Sequence, residues 1–287
     1  MASNALAWNL ASGYAGVFSL GHHVFFGVGA YTSTLLFLKA GLTPWVGMLA
    51  AGAMAGVVGV VVALVTFRYR LTGVFFGLTT LALGEVVRSV TASWKWVGGP
   101  VGLLVPMKDD PANFLFMSRM PYFYTALGLL VTFLVITSLV QHSKMGYYLR
   151  AIREDENAAE ASGVNSYLYK TLVMALSAGL TGIMGTFYAQ YLLFIAPDVV
   201  FNFDIQLNMM LGVMVGGPGT LWGPLVGSGL FGLLGEMLRN LPFKATAQLA
   251  SASKVLYAVA LMVVALYLPT GLVGISFRRK AGPVRKE

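Results

Sequence analysis

The sequence contains no cysteine and few charged residues. The lack of cysteine excludes disulfide bonds, thiolate metal sites and cysteine nucleophiles. Only 10% of the 287 residues are charged, whereas a soluble domain carries about 25%. Because 57% of the residues are hydrophobic, a chain of this length cannot cover its surface with polar groups. We therefore expect a membrane protein whose exterior faces lipid.

Two further absences narrow the function. The chain has no nucleotide-binding loop of the GxxxxGKS/T type, so we expect no cofactor here and any ATP must be bound and hydrolysed by a partner. The net charge of +8 does not form one basic stripe, because Lys and Arg lie in short clusters between apolar runs. That distribution is typical of membrane loops and argues against a nucleic-acid partner.

Eight apolar runs are candidate membrane spans, since a helix of roughly 20 apolar residues crosses a bilayer. The runs cover residues 23–38, 45–67, 71–92, 121–141, 168–192, 203–216, 220–238 and 254–269. The expected fold class is all-α: a polytopic membrane helix bundle with about eight spans and possible broken helices. We expect residues 1–287 to form a single transmembrane domain.

Basic residues between the spans predict the orientation. Three segments stand out: Arg68 to Arg70, the polar stretch from His142 to Lys170, and the tail beyond Arg278. Placing all three on the cytoplasmic side, with a cytoplasmic C-terminus, gives an alternating path that satisfies the positive-inside rule. Residues 1–12 resemble the last turns of an earlier span, so we expect the chain to be truncated at its start or to begin at an internal methionine. A cleavable signal peptide is not expected.

Glycine is frequent within the spans, with 34 residues in the chain. In lipid, small residues let helix backbones approach closely, so tight helix packing is the first interpretation. The second is that two Gly-rich segments are broken backbone beside a translocation path. Irregular backbone at membrane depth survives only where it is buried in protein or faces water. The candidate path residues are Ser19, Gly21, His22, Gly217, Pro218 and Gly219.

A polar segment separates the fourth span from the fifth. Residues 145–163 are mostly helix-forming, with alanines on one face and charges on the other, and the segment ends at Gly163, a favoured helix stop. A short helix of this kind, lying along the membrane surface, can enter a groove on another protein and pass motion into the spans. The alternative from the pattern alone is a solvated amphipathic loop.

Ionisable residues within the spans need protein or water beside them, because a charge at the bilayer centre costs about 2.5–3.5 kcal/mol on insertion scales. Glu85 and Arg88 stand three residues apart, as do Glu236 and Arg239, so each pair shares a helix face. We interpret both pairs as interface anchors or subunit contacts. Contact of Glu85 or Arg88 with a zwitterionic substrate is the alternative.

Neither a metal site nor a catalytic site is expected. His22 and His23 point in different directions on a helix, with no third ligand beside them. Ser19 with His22, near a glycine, is weak evidence for the nucleophile and base of an intramembrane hydrolase. Asp198 and Asp204 suit contact with a binding protein better than proton sharing. We therefore do not expect an enzyme.

Five separated segments resemble, in the right order, the LivM-type permeases of branched-chain amino acid ABC transporters. The resemblance runs almost end to end and is carried by residues 13–22 (GYAGVFSLGH), 25–32 (FFGVGAYT), 150–156 (RAIREDE), 158–163 (AAEASG) and 216–224 (GGPGTLWGP). The chain departs from the family at His23, where a small residue is more usual, and at its start, where the family normally has additional spans.

The resemblance implies import of branched-chain or other hydrophobic amino acids across a bacterial inner membrane. The partners that it implies are a LivH-like second permease, two cytoplasmic ATPase subunits and a periplasmic or lipid-anchored amino-acid-binding protein. It also implies that the polar segment is the coupling helix to the ATPases, with Arg150, Arg153, Glu154, Glu156, Ala158, Ala159, Glu160 and Gly163. A urea or short-amide ABC permease and an energy-independent channel stay open as alternatives.

Overall fold

The computed structural model describes residues 1–106, 110–239 and 271–272 of the chain. Within them the fold is a bundle of α-helices, which confirms the predicted fold class. The helices are α1 (Ala2–Asn9), α2 (His22–Ala40), α3 (Pro44–Arg68), α4 (Gly73–Ser93), α5 (Arg119–His142), α6 (Lys144–Glu154), α7 (Glu156–Ala161), α8 (Ser166–Leu192), α9 (Pro197–Val200), α10 (Phe203–Gly216) and α11 (Gly223–Arg239). Two short strands, β1 (Leu103–Leu104) and β2 (Phe194–Ile195), pair antiparallel.

Seven of the eight predicted spans coincide with helices, namely α2, α3, α4, α5, α8, α10 and α11. The eighth, residues 254–269, lies outside the described residues. Five segments of the described part are long and apolar enough to cross a membrane: Pro44–Arg68, Gly73–Ser93, Arg119–His142, Ser166–Leu192 and Pro197–Gly216. The last of these segments contains both α9 and α10. The predicted span at residues 203–216 is therefore the second part of a longer helical segment.

Helices α2, α3 and α8 pack against each other more extensively than the others, and we call them the frame. Their close approaches occur at glycines. A Cβ on Gly29 of α2 would lie 2.1 Å from the carbonyl oxygen of Gly182 in α8, and one on Gly185 would lie 2.0 Å from that of Phe26. Because a side chain at either position would displace a helix backbone, the interpretation of glycine as a helix-packing residue is confirmed here.

The loops that follow α2, α4 and α8 meet at one end of the bundle, which we call the loop end. β1 and β2 bring Leu103 opposite Ile195. Lys39, at the end of α2, donates a hydrogen bond to the carbonyl oxygen of Trp96 at 2.8 Å, and its Nζ lies 3.4 Å above the centre of that ring. These contacts hold the first part of the loop after α4, residues 94–104, onto the ends of the spans.

The polar segment lies at the other end of the bundle, the α6 end. Leu149 and Ile152 of α6 are buried against the bundle. The turn after α3, with Arg68 and Arg70, lines a cavity together with α7. Two of the three basic segments used for the orientation therefore lie at the same end. The third, the tail beyond Arg278, lies outside the described residues.

Candidate functional site

Residues 15–21 form the first break in the helical backbone. α1 continues into a π-helical turn, Leu10–Tyr14, after which the chain is non-helical until α2 begins at His22. Ser19 within this stretch is fully buried. The structure thus places Ser19 and Gly21 in irregular backbone enclosed by protein, the setting in which such backbone is stable at membrane depth.

Side chains from three helices satisfy the backbone of this break. Trp8 Nε1 in α1 and Gln206 Nε2 in α10 both donate to the carbonyl oxygen of Ser19, at 2.8 and 3.0 Å. Thr80 Oγ1 in α4 accepts from the backbone N–H of Leu20 at 3.1 Å. These side chains replace the hydrogen bonds that a continuous helix would supply to its own backbone.

His22 connects the first break to α8. Ser177 Oγ donates to the carbonyl oxygen of Ala7 at 2.6 Å, so it must accept its 2.8 Å bond from His22 Nε2. His22 Nδ1 then accepts from Ser19 Oγ at 2.9 Å, and the ring carries its proton on Nε2. All three side chains are fully buried. A nucleophile and its base must reach a substrate, so this arrangement positions backbone and does not serve hydrolysis.

Residues 217–222 form the second break, between α10 and α11. Gly217 and Gly219, on either side of Pro218, have φ angles of +123° and +75°, which residues with side chains rarely adopt. The Asn9 side chain holds this turn: its Oδ1 accepts from the N–H of Gly219 and its Nδ2 donates to the carbonyl oxygen of Thr220, both at 2.9 Å. Sequence reasoning missed Asn9, because nothing in its neighbourhood indicates a partner 210 residues away.

The π-helical turn that leads into the first break touches the second break at glycines. A Cβ on Gly13 would lie 2.6 Å from the nitrogen of Gly219, and one on Gly219 would lie 2.9 Å from the oxygen of Gly13. Backbones approach this closely only where neither residue carries a side chain. The path residues predicted in two distant segments therefore belong to one continuous region. We call it the joint: residues 13–22 and 217–222 with Asn9.

The polar segment forms two helices where one was predicted. α6 ends at Glu154, Asp155 is extended with φ −154° and ψ 109°, and α7 follows. Asp155 Oδ1 accepts from two backbone N–H groups in the first turn of α7, at 2.9 and 3.0 Å. Aspartate is a preferred helix N-cap, so it starts a new helix in the middle of the expected 145–163 helix.

Gly163 terminates α7. Its φ is +87°, its N–H donates to the oxygen of Glu160 at 2.9 Å, and the N–H of Val164 donates to the oxygen of Ala159 at 3.0 Å. This is the hydrogen-bond pattern of a helix that ends in a left-handed residue, as the sequence predicted. Apart from its chain neighbours, no atom of the described residues lies within 4 Å of the position of a Cβ there, so backbone strain and not a clash favours glycine.

α6 and α7 have a buried and an exposed face. Leu149, Ile152 and Ala159 face the bundle. The alanines are therefore not confined to one face, since Ala151 and Ala158 are exposed. Of the predicted coupling residues, Glu156 is half-buried and the exposed ones are Arg150, Arg153, Glu154, Ala158, Glu160 and Gly163.

Arg153 of α6 is directed into the joint. Its Nη1 donates to the carbonyl oxygen of Gly13 at 2.5 Å. The position of a Cβ on Gly219 lies only 2.3 Å from the same Nη1, and that of a Cβ on Gly16 lies 3.2 Å from Arg153 Cγ. One side chain of the polar segment thus touches both breaks.

An ion pair joins α7 to α8. Lys170 Nζ and Glu156 Oε2 lie 2.5 Å apart, and Lys170 is buried. Both residues line a cavity of about 590 Å³ that also contains Arg68 and Arg70. They also line a neighbouring cavity of about 300 Å³ that reaches Arg153 and the first break. Together these cavities form a groove of mixed charge from α7 to the joint.

Glu85 and Arg88 of α4 form an ion pair at 2.8 Å, as the sequence predicted. Arg88 also pairs with Asp198 of α9 at 2.6 Å, a contact that sequence reasoning missed. The three side chains are 52%, 36% and 78% exposed, respectively. Because charges within a span normally lie against protein or water, we expect this face of α4 to be covered by one or the other. The side chain of Arg239, in the second predicted pair with Glu236, lies outside the described part.

His23 lies beside this face of α4 and is fully buried. Neither of its ring nitrogens has a hydrogen-bond partner among the described residues. Its ring packs edge-on against Phe203, with centroids 5.9 Å apart. A Cβ on Gly84 would lie 2.4 Å from His23 Nε2, so this glycine makes room for the ring. No group of three His, Cys, Asp or Glu residues that could hold a metal occurs in the described ranges.

Comparison with known proteins gives one family. A model of the family described as "Branched-chain amino acid transport system / permease component" matches residues 3–266. The high-affinity branched-chain amino acid transport system permease protein LivM of Escherichia coli (strain K12) is 27% identical over 259 residues, which cover 82% of this chain and 60% of LivM. The probable LivM of Methanocaldococcus jannaschii is 24% identical over 208 residues, 69% of this chain and 59% of that protein.

The second type of permease in that transport system is also similar. LivH of Escherichia coli (strain K12) is 26% identical over 149 residues, which cover 50% of this chain and 46% of LivH. The chain spans about three fifths of the length of the LivM relatives. No solved structure matches it. A match over nearly the whole chain, together with a bundle of apolar helices, shows a multi-pass membrane protein that belongs to the permease components of branched-chain amino acid transport systems.

Proposed function

We propose that this chain is the LivM-like permease subunit of an ABC importer that moves branched-chain or other hydrophobic amino acids into the cytoplasm. The observation that carries the proposal is the contact between the polar segment and the joint, since α6 lies at the surface and touches both breaks in the spans. A transporter driven by subunits outside the membrane needs such a connection. A passive channel does not.

Two partner ATPase subunits would bind at the α6 end. The exposed face of α6 and α7 carries Arg150, Glu154 and Glu160, and the groove beside it contains both signs of charge. A protein surface with the complementary pattern of charges can place an opposite charge against each charge of this face. Such electrostatic complementarity favours a specific partner over a wrong one. We propose that a protein docks on this face and that this protein carries out the nucleotide chemistry.

Transport follows from the difference in rigidity between the frame and the joint. ATP binding closes the two ATPases and moves α6 with α7. The frame helices, in contact backbone to backbone at Gly29 and Gly185, move as one body. The turns of the joint, which are held by side chains, change shape and alter which end of the path is open. This rocking of rigid parts gives alternating access.

The remaining partners complete the path. We assign the second half of the path to a LivH-like permease, which would cover the charged face of α4 at Glu85 and Arg88. A periplasmic or lipid-anchored amino-acid-binding protein would deliver substrate at the loop end. With the α6 end in the cytoplasm, the basic residues around Arg68 and Arg70 obey the positive-inside rule. We therefore propose a bacterial inner membrane as the location of the subunit, with its C-terminus in the cytoplasm.

Uptake by the reconstituted complex tests this proposal. The chain, with its second permease, ATPases and binding protein, is placed in lipid vesicles with ATP on the α6 side, and labelled leucine and urea are offered in parallel. The expected result is leucine accumulation that requires ATP. Equilibration of leucine without ATP would mean an energy-independent channel, and uptake of urea but not leucine would mean a urea or short-amide permease.

Two charge reversals test the docking face. Arg150→Glu, on the exposed face of α6, should reduce the amount of ATPase that co-purifies with the permease. Arg119→Glu, an exposed arginine at the loop-end start of α5, is the matched control and should leave co-purification unchanged. Equal retention of the ATPase in both variants would place the docking face elsewhere.

A further inference from the structure

Arg153 differs from the other charged residues of the polar segment because its guanidinium contacts the joint. We propose, building on the proposed function, that Arg153 is a positioning residue that passes the movement of α6 to the joint. In this role Arg153 does not contact the ATPase. Among the hydrogen bonds of the described part, it supplies the one side-chain bond from α6 or α7 to the joint.

The first half of the connection is the bond to Gly13. The carbonyl of Gly13 belongs to the π-helical turn Leu10–Tyr14, at the end of the helical run that begins with α1. The last carbonyls of a helix lack helical partners and carry partial negative charge, so a guanidinium is a favourable partner for them. A hydrogen bond from a charged donor is also stronger than one between neutral groups. Displacement of Arg153 therefore pulls directly on the first break.

The second half is the packing against Gly219. The guanidinium occupies the space that a side chain on Gly219 would fill, because a Cβ there would lie 2.3 Å from Arg153 Nη1. The turn around Gly219 is in turn bonded to Asn9, four residues before Gly13 on the same helical run. Movement of the guanidinium thus acts on both parts of the joint at once.

Arg150 is the matched comparison, because it is also an arginine of α6 but does not bond to the joint. It stands one turn earlier, its Nη2 donates to the carbonyl oxygen of Gln141 at 2.8 Å, and its guanidinium lies 5.5 Å from the centre of the Tyr147 ring. Tyr147 and Arg150 are both exposed. The same helix therefore carries two exposed arginines, of which Arg153 bonds to the joint and Arg150 bonds to the end of α5.

The ratio of leucine molecules transported per ATP hydrolysed separates the two roles. The whole reconstituted complex is used, and both rates are measured in the same vesicles. Arg153→Ala should leave ATP hydrolysis stimulated by the loaded binding protein, while the ratio falls about tenfold, the factor expected for loss of one charge-assisted hydrogen bond. Arg150→Ala should lower hydrolysis and uptake together with an unchanged ratio. Arg119→Ala, at the loop end, should leave the ratio unchanged.

Other outcomes overturn the proposal. An unchanged ratio in Arg153→Ala, with both rates normal or both reduced, would mean that Arg153 supports docking or folding only. If Arg153→Ala does not assemble, Arg153→Lys keeps the charge and the stem but loses the forked donor, and its ratio should lie between wild type and one tenth. Gly219→Ala would place a Cβ where the guanidinium lies and so displace it. The role would also be contradicted if Arg153→Lys had the wild-type ratio and Gly219→Ala had wild-type rates of hydrolysis and uptake. Failure of the proposed function is distinguishable, because wild type and Arg119→Ala would then show no ATP-driven uptake.

Discussion

The frame and the joint solve the same problem, the burial of a polar backbone in a membrane protein, in opposite ways. In the frame, α2, α3 and α8 satisfy their own N–H and C=O groups and use glycines such as Gly29 and Gly185 to bring whole helices into contact. In the joint, backbone groups at Ser19, Leu20 and Gly219 depend on side chains from distant helices.

This difference indicates which part of the molecule can move. A continuous helix loses its hydrogen bonds if it is bent, and closely packed helices have no free volume in which to shift. A turn held by side chains can exchange one set of partners for another. The joint is therefore ordered in this structure and can also adopt a second arrangement. It lies where the surface helix α6 contacts the spans. Four changes test this division.

The largest effect is expected in the frame. Gly185→Leu would force a side chain into the backbone of α2, where the position of the Cβ already lies 2.0 Å from the oxygen of Phe26. We expect destabilisation at or above the upper end of the roughly 1–3 kcal/mol range for overpacking, and loss of folded protein. Thermal unfolding in detergent measures it. Gly128→Leu in α5 is the control and should keep the wild-type Tm, because no described residue outside the local helix lies within 4 Å of a Cβ there. Equal Tm values for the two variants would refute the tight frame.

A smaller loss of stability is expected at the contact of the joint with the frame. His22→Phe keeps the size of the ring but leaves Ser19 Oγ without its acceptor and Ser177 Oγ without its donor. Each unsatisfied buried group costs about 1–3 kcal/mol. His142→Phe is the matched control, because that ring is exposed and bonds only to the carbonyl oxygen of Ser138. The network has no structural role if both variants unfold at the same temperature.

A local effect is expected at the end of α7. Gly163→Val places a β-branched residue at φ +87°, a strain of about 1–3 kcal/mol, and displaces the helix end without a clash. The permease should insert and pair with its membrane partner, while ATP hydrolysis stimulated by the loaded binding protein falls together with uptake. Gly128→Val, in open space on α5, should change neither rate. Full stimulation of ATP hydrolysis in Gly163→Val would contradict the coupling role of α7 and favour the passive-channel alternative.

The smallest effect is a change in labelling only. Asn157 is exposed on α7, and the chain has no other thiol, so Asn157→Cys introduces a single reactive group. Transport should stay at the wild-type level. A membrane-impermeant thiol reagent should label this cysteine only after the inner membrane is opened. Labelling of intact spheroplasts would place the α6 end outside and reverse the proposed orientation.

Much of the bundle could be predicted because apolar runs and punctuating glycines are local signals. The seven spans that the structure describes and the stop at Gly163 depend on residues close in sequence. Membership of the permease family followed from motifs that keep their order along the chain. Even the division of the polar segment at Asp155 had a local signal, a preferred N-cap within a helical pattern, that was overlooked.

The interior of the joint could not be predicted in the same way. Asn9 reaches Gly219, Trp8 reaches Ser19, and Arg153 reaches Gly13 across 140 residues of sequence. These contacts depend on how α1, α6 and α10 pack, which the pattern of apolar residues does not determine. A charged pattern on a surface helix indicates that it is amphipathic. It does not indicate which of two arginines one turn apart bonds to the joint.

The central claim is that ATP moves the joint and leaves the frame unchanged, and paired spin labels test it most directly. One pair, at Asn157 and Trp222, spans the polar segment and the second break, and the other, at Val57 and Leu172, spans α3 and α8. All four side chains are exposed. In the assembled complex, ATP binding should shift the Asn157–Trp222 distance by about 2 Å or more, with no change between Val57 and Leu172. Equal shifts in both pairs, or a shift in the frame pair alone, would contradict the account.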